Sequence, residues 1–280
     1  MGRLIAAEYR KIFTTKLWWA LLIPAAIIAL VFAWGGSALG ALQDEAETLG
    51  GSLPLAFVTF AYGYNFATIF GLIFGATSLT GELRHKTITT SYLTGSSRGA
   101  VLAAKLFTYT TIGALYGIIC AITGTIGSAI GDEVPAFGAW TQLMLASILV
   151  MIMWVLLGVG VGALIGNQVG AVVSLIVYVL VVERVLAPVM NNQGMENVVP
   201  YLPYQSAANT TMELAVRLLF GNLPGDLAGD SDTPQVERGI RTVLLLNHVP
   251  DWWTNGVIFA VWALVLGIIG WLVARRRDIT

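Results

Sequence analysis

Cysteine is almost absent from this 280-residue chain: Cys120 stands alone inside an apolar run, so neither an internal disulfide nor a Cys-x-x-Cys metal site can form. Histidine is nearly as scarce. His85 and His248 are far apart and belong to no His-Glu-x-x-His motif, which excludes that zinc-hydrolase pattern. No Gly-x-x-x-x-Gly-Lys-[Ser/Thr] phosphate loop occurs, so the chain is expected to bind no ATP or other cofactor itself. Charge is the most telling shortage. Only 11% of the residues are Asp, Glu, Lys or Arg, against about a quarter in an ordinary soluble domain. With 56% hydrophobic residues and a mean hydropathy of +0.77, too little polar surface remains to cover a water-soluble globule of this size. The composition implies a membrane protein. A net charge of -1 offers no large basic face, and nucleic acid is not an expected partner.

What the chain has is long uncharged runs. Residues 17–43, 48–81, 106–131, 134–182 and 252–274 lack Asp, Glu, Lys and Arg. A helix needs about 20 mostly apolar residues to cross the hydrocarbon core. Four runs hold one helix each, and the 134–182 run holds two, separated by the polar break Gly166-Asn167-Gln168. Six spans are expected, at 17–39, 55–79, 101–130, 138–165, 169–189 and 252–274. The first run is too long for the apolar core of a cleaved signal peptide and reads as a retained helix, and no separate soluble domain is expected.

The cations alternate along the chain. Arg3, Arg10, Lys11 and Lys16 precede the first span, Arg84, Lys86, Arg98 and Lys105 surround the second connection, and Arg275, Arg276 and Arg277 follow the last span. Together they are 11 of the 15 Lys and Arg residues, accompanied by only Glu8, Glu82 and Asp278 among the acids. By the positive-inside rule both termini and the 81–105 loop are expected in the cytoplasm. The loops with Asp44, Glu45, Glu47, Asp132 and Glu133, and the long 190–251 segment, then face outward. That segment contains Met212 to Phe220, which reads as a short amphipathic helix, and Pro200-Tyr201-Leu202-Pro203, which suggests a fold back toward the membrane as a lid.

On a 100° helical wheel, residues 3–14 place Leu4, Ile5, Tyr9, Ile12 and Phe13 in one half and Arg3, Arg10 and Thr14 opposite. This is an interfacial helix leading to Trp18-Trp19. Glu8 and Lys11, at i and i+3, pair either with each other or with a partner protein, and the whole helix is otherwise a basic anchor. The 81–105 loop is dense in charge through Glu82, Arg84, His85 and Lys86, continues with small hydroxyls from Thr87, and turns at Gly95-Ser96-Ser97-Arg98 before Lys105.

The order of residues in this loop resembles the cytoplasmic coupling loop of ABC-2 type ABC transporter permeases, in which Glu-x-Arg-x-Gly-Thr precedes a leucine, a proline turn, a Ser-Arg or Arg-Arg pair and a lysine in the next span. Glu82, Arg84, Thr87, Leu93, Ser97, Arg98 and Lys105 match. Lys86 stands where glycine is usual, and Gly95-Ser96 replaces the proline turn. The run Glu8-Tyr9-Arg10-Lys11 through Thr14 is similar to the family's elbow helix, and Arg277-Asp278 to its common carboxyl end. The resemblance covers the whole chain. It implies one ABC-2 type transmembrane domain over residues 1–280: an all-α polytopic membrane protein with an interfacial elbow helix at 1–16, a cytoplasmic coupling helix at 81–92 and an extracellular helical segment at 190–251 before the last span. It further implies the permease subunit of a bacterial ABC exporter in the plasma membrane, working with a second permease subunit as a homodimer and with two ATPase subunits that bind the ATP and Mg. Glu8, Lys11, Glu82, Arg84, His85, Thr87 and Arg98 would then couple ATPase closure to the membrane domain, moving an amphiphilic drug, lipid or peptide outward.

Three features lie within the spans. Gly71/Gly75, Gly113/Gly117 and the ladder Gly158, Gly162, Gly166, Gly170 recur at i, i+4, which suits close helix packing within one subunit or, alternatively, a dimer seam. Tyr62, Phe66, Phe70 and Phe74 also recur at i+4 with Asn65 and Thr68 nearby. They read either as helix packing and lipid contact or as a substrate path built on Tyr62, Asn65, Phe66 and Phe70. Glu183 and Arg184 follow only 14 uncharged residues, about 21 Å of helix, so they are expected to snorkel at the outer boundary or to line an outer vestibule. A secondary transporter or channel not coupled to ATP is the alternative class. It would place ionisable groups mid-span or show broken inverted repeats. An intramembrane enzyme would need paired carboxylates or a nucleophile–base constellation at membrane depth, and the spans show neither.

Overall fold

The computed structural model describes residues 2–45, 54–84, 98–131, 135–223 and 233–276, and every regular element among them is helical. Helix α1 (Gly2–Phe13) is followed by four long helices: α2 (Leu17–Glu45), α3 (Ala56–Arg84), α4 (Arg98–Ile130) and α5 (Phe137–Ile165). The next span is composite, with α6 (Gln168–Val177), a π-helical turn (Tyr178–Val182) and α7 (Glu183–Asn192). A 3-10 turn (Val199–Tyr201), α8 (Pro203–Gly221), α9 (Thr233–Val243) and α10 (Trp252–Arg276) complete the chain. Six stretches are long and apolar enough to cross a membrane: 17–39, 56–78, 99–130, 137–165, 168–192 and 252–274. This is an all-α polytopic membrane protein.

Local chemistry explains the turn between the fourth and fifth spans. Gly166 adopts the left-handed conformation at φ 71° and donates its N–H to the Gly162 carbonyl, ending α5. Asn167 then caps α6 by accepting from the Gly170 N–H at 3.1 Å. The fifth span, expected over 169–189, runs through the charged pair to Asn192, with Glu183 buried against backbone N–H groups and Arg184 held by the Tyr204 hydroxyl.

Helices α3 and α5 form the centre of the bundle, with α2 against α3 and α4, and α10 on the far side of α5. Glycine sets how closely they approach. Gly75 lies against the Val155 carbonyl, while Gly158 and Gly162 lie against the carbonyls of Leu72 and Ala76, so a Cβ at any of these positions would overlap backbone of the facing helix. Gly113 and Gly117 meet α5 at Ile152 and Ile148, and Gly160 meets Gly267. The glycine pairs therefore pack helices within one subunit, in line with the first of the two expectations. Aromatic residues fill the wider gaps: Phe60 stacks on Tyr64 and meets Trp140 edge-on, and Tyr64 donates its hydroxyl to the Ser147 carbonyl.

The segment before the last span returns into the bundle. Trp262 donates its indole N–H to the Tyr201 carbonyl at 2.8 Å. Trp262 is ten residues, or about 15 Å, into α10, so the 3-10 turn lies well below the start of that helix. From there α8 rises until Glu213 accepts the Trp252 backbone N–H at 2.8 Å. The short amphipathic helix expected over 212–220 is instead a 19-residue helix buried on nearly all sides against α3, α5 and α10. Its polar residues are satisfied locally, as when Thr210 donates to the Ser206 carbonyl, and Ala207, Ala208 and Ala215 let neighbouring helices approach.

Candidate functional site

At the α1 end of the bundle, the amphipathic face of the first helix puts Glu8 and Ile12 against α4. Glu8 is buried, and each carboxylate oxygen receives a lysine: Lys11 Nζ at 2.6 Å from Oε1 and Lys105 Nζ at 3.0 Å from Oε2. Lys105 is itself 3% exposed and lies over the Tyr109 ring at 5.8 Å. Tyr9 shares a hydroxyl hydrogen bond with Thr111, nearly two turns further along α4. The Glu8–Lys11 pair expected from spacing is present, while Lys105, matched only as part of the loop pattern, is the second partner. A lysine inside an apolar span needs an acid, and few acids lie on this side of the sequence.

The other expected coupling residues cluster at the same end by chain connectivity. Glu82 and Arg84 occupy the last turn of α3, and Arg98 opens α4. His85 and Thr87 lie outside the described residues, as does the remainder of the 81–92 segment, whose residues 81–84 continue α3.

A second polar group lies inside the bundle at the foot of α8. Glu183 is completely buried, and its carboxylate accepts the backbone N–H groups of Tyr204 at 2.8 Å and Gln205 at 3.0 Å. An anion at the N-terminus of α8 is favourable because the first N–H groups of a helix have no intrahelical partner. Glu183 therefore does not snorkel. Arg184, turned about 100° further round the helix, is exposed. Its guanidinium lies 4.8 Å from the Phe66 ring and 5.6 Å from the Tyr204 ring, and Nη2 donates to the Tyr204 hydroxyl at 3.1 Å.

Two residues of the expected substrate path meet this group. Tyr62, half-exposed at 47%, packs edge-on against Phe66, and Phe32 of α2 joins both rings. Asn65 is buried and accepts from Thr211 of α8 at 3.4 Å, so it binds the re-entrant helix to α3. Phe70 is partly buried and Phe74 is fully turned into the core against Tyr109 and Tyr116. Spacing of i+4 precesses about 40° per step, which carries the stripe from the surface into the bundle. Sequence reasoning missed Tyr204 and Phe32. Pro203, favourable at the start of a helix, was the available signal for the first; Phe32 had none.

From the middle of α8, Glu213 repeats the capping device on α10 by accepting the Trp252 N–H. Burial holds its carboxyl above the usual carboxylate range, although the Trp252 N–H and the Arg241 charge, 3.7 Å away, pull it down. Arg241, held at 2.9 Å by Glu237 of its own helix, ties α9 to α8 through Glu213.

A six-span helical bundle with a docked amphipathic first helix and a helix that returns into the bundle before the last span defines the class: a polytopic membrane protein. A sequence profile described as "ABC-2 family transporter protein" matches residues 3–279, and the chain belongs to that family. It is a permease component of an ABC transporter, a class that works with an ABC ATPase. No curated protein matches the chain.

Proposed function

We propose that this chain is the membrane subunit of an ATP-driven exporter in a bacterial plasma membrane, moving an amphiphilic substrate outward with energy from a separate ATPase. The observation that carries the reading is the pin between Glu8 and Lys105. It joins α1 to the first turns of α4, so the elbow and α4 form one mechanical unit at the end of the bundle where α3 ends with Glu82 and Arg84 and α4 begins with Arg98. Force applied to the elbow reaches α4 directly. The excess of Lys and Arg at both termini and at this end supports a cytoplasmic position for them.

The exposed Arg184 supports a paired arrangement. A guanidinium turned toward lipid near the bilayer centre costs about 2.5 to 3.5 kcal/mol. Tyr204, which holds it, packs against Trp154, twelve residues or about 18 Å along α5 from the Gly166 turn. The face with Arg184 and Tyr62 is therefore covered by water and by a second copy of the permease, with two ATPases beneath the pair, and the substrate moves along it.

Co-expression with a candidate ABC ATPase tests the proposal. Turnover should require both subunits. Glu82→Ala and Arg84→Ala should lower co-purification and stimulated turnover about tenfold or more while leaving membrane insertion intact. Unchanged association and turnover in both variants would refute the coupling assignment.

A further inference from the structure

We propose that Arg184 is the recognition point for an anionic group, a phosphate or carboxylate carried on an apolar body, and hence that the transported amphiphile is an anion. This deepens the permease reading and rests on it. The two charges of the fifth span have unequal fates. Glu183 is fully buried and its carboxylate is taken up by the Tyr204 and Gln205 N–H groups. Arg184 receives a phenol and two ring faces but no carboxylate among the described residues. Aromatic faces and one hydroxyl oxygen orient a guanidinium without neutralising it.

The geometry prepares it for a bidentate anion. The Tyr204 hydroxyl engages Nη2, and the ring of Phe66 supports the guanidinium at 4.8 Å. A guanidinium has five N–H donors in one plane, so four remain after the single bond to Tyr204, enough for the fork that matches carboxylate or phosphate. The cation is exposed, and so is Tyr62, whose ring packs on Phe66 and presents an apolar surface beside the charge. An anion on an apolar body satisfies both. A small hydrophilic anion would leave the Tyr62, Phe66 and Phe32 surface unused.

The purified permease in nanodiscs of phosphatidylcholine is titrated with dodecyl phosphate, inorganic phosphate and the neutral dodecyl maltoside, without any ATPase. Dodecyl phosphate should bind at least tenfold more tightly than either of the others, and Arg184→Gln should lose that preference. Phe66→Leu keeps the charge and removes its aromatic support, and should weaken dodecyl phosphate several-fold if Arg184→Gln does not fold. Equal binding of dodecyl phosphate and dodecyl maltoside, or of dodecyl phosphate to wild type and Arg184→Gln, would overturn the inference. So would a loss of dimerisation in Arg184→Gln with anion binding unchanged, since a carboxylate of the second copy would then be the partner. Inorganic phosphate binding as tightly as dodecyl phosphate would remove the amphiphile. Because no ATPase is present, each of these failures leaves the ATP-coupled permease reading to be judged by its own experiment.

Discussion

Lys105 Nζ lies 3.0 Å from Glu8 Oε2, joining residues 97 positions apart, and both side chains are almost wholly buried. Removing one member of a buried ion pair leaves an uncompensated charge, which costs about 3 to 5 kcal/mol in typical cases. Lys11 remains beside Glu8 after Lys105→Met, so the loss should fall toward the lower end of that range. Glu8→Gln should be the more damaging, because it removes the carboxylate that both Lys11 and Lys105 hold. Thermal unfolding of the purified permease measures both. The double variant Glu8→Gln/Lys105→Met should recover part of the loss, and strictly additive losses would show that the two side chains do not act as a pair.

Gly75 and Gly158 test the seam between α3 and α5. A side chain at either position would meet backbone carbonyl across the seam rather than a flexible side-chain end. Overpacking of this kind costs about 1 to 3 kcal/mol, and more where backbone must move. Gly75→Val and Gly158→Val should therefore lower thermal stability sharply, whereas Gly138→Ala, which meets open space, should not. Stability unchanged by the valines would mean that the helices do not approach closely here.

Glu213 carries a pH dependence of known sign. Its folded-state affinity for a proton is raised, chiefly by burial, so the folded protein binds the proton more tightly than the unfolded chain does. The associated stability is fully present below the ordinary carboxylate value of about 4.3 and declines as pH rises through the raised value. Glu213→Gln retains an acceptor for the Trp252 N–H and removes the titration. Thermal unfolding between pH 4 and pH 7 should thus fall less steeply in the variant than in wild type, and identical slopes would remove Glu213 as a contributor.

The spans were legible because the bilayer excludes charge so strongly that gaps between charges mark them; α1 was legible because its apolar residues keep to one half of the wheel. The return of the outer segment toward the membrane was legible in part, from Pro200-Tyr201-Leu202-Pro203, but the length and burial of α8 were not. Its run from Ser206 through Thr211 is small and largely polar, yet Thr210 donates to the Ser206 carbonyl, Ser206 to the Pro203 carbonyl and Thr211 to Asn65. Capping by Glu183 was hidden for a similar reason: the N–H groups it binds belong to backbone that is 21 and 22 residues away. Periodicity reports which face of a helix is apolar. It does not report which carboxylate will meet the end of a helix from another part of the chain.

Sidedness rests on the distribution of Lys and Arg, and residues 224–232, which connect α8 to α9, offer the place to measure it. The bond from the Trp252 N–H to Glu213 sets the middle of α8 level with the start of α10, and the second half of α8 leads on from there, away from the end of α10 at Arg276. If the cation-rich end is cytoplasmic, Asp230 is outside. Cys120 is buried, and Cys120→Ser removes the native thiol. In that background Asp230→Cys should react with a membrane-impermeant thiol reagent added to intact cells, and a cysteine at Thr14, an exposed position just after α1, should react only once the cells are opened. Export depends on this orientation, since the ATPase can reach α1 and the α3–α4 connection only from the cytoplasm. The reverse labelling pattern would place the elbow outside and remove the proposed mechanism with it.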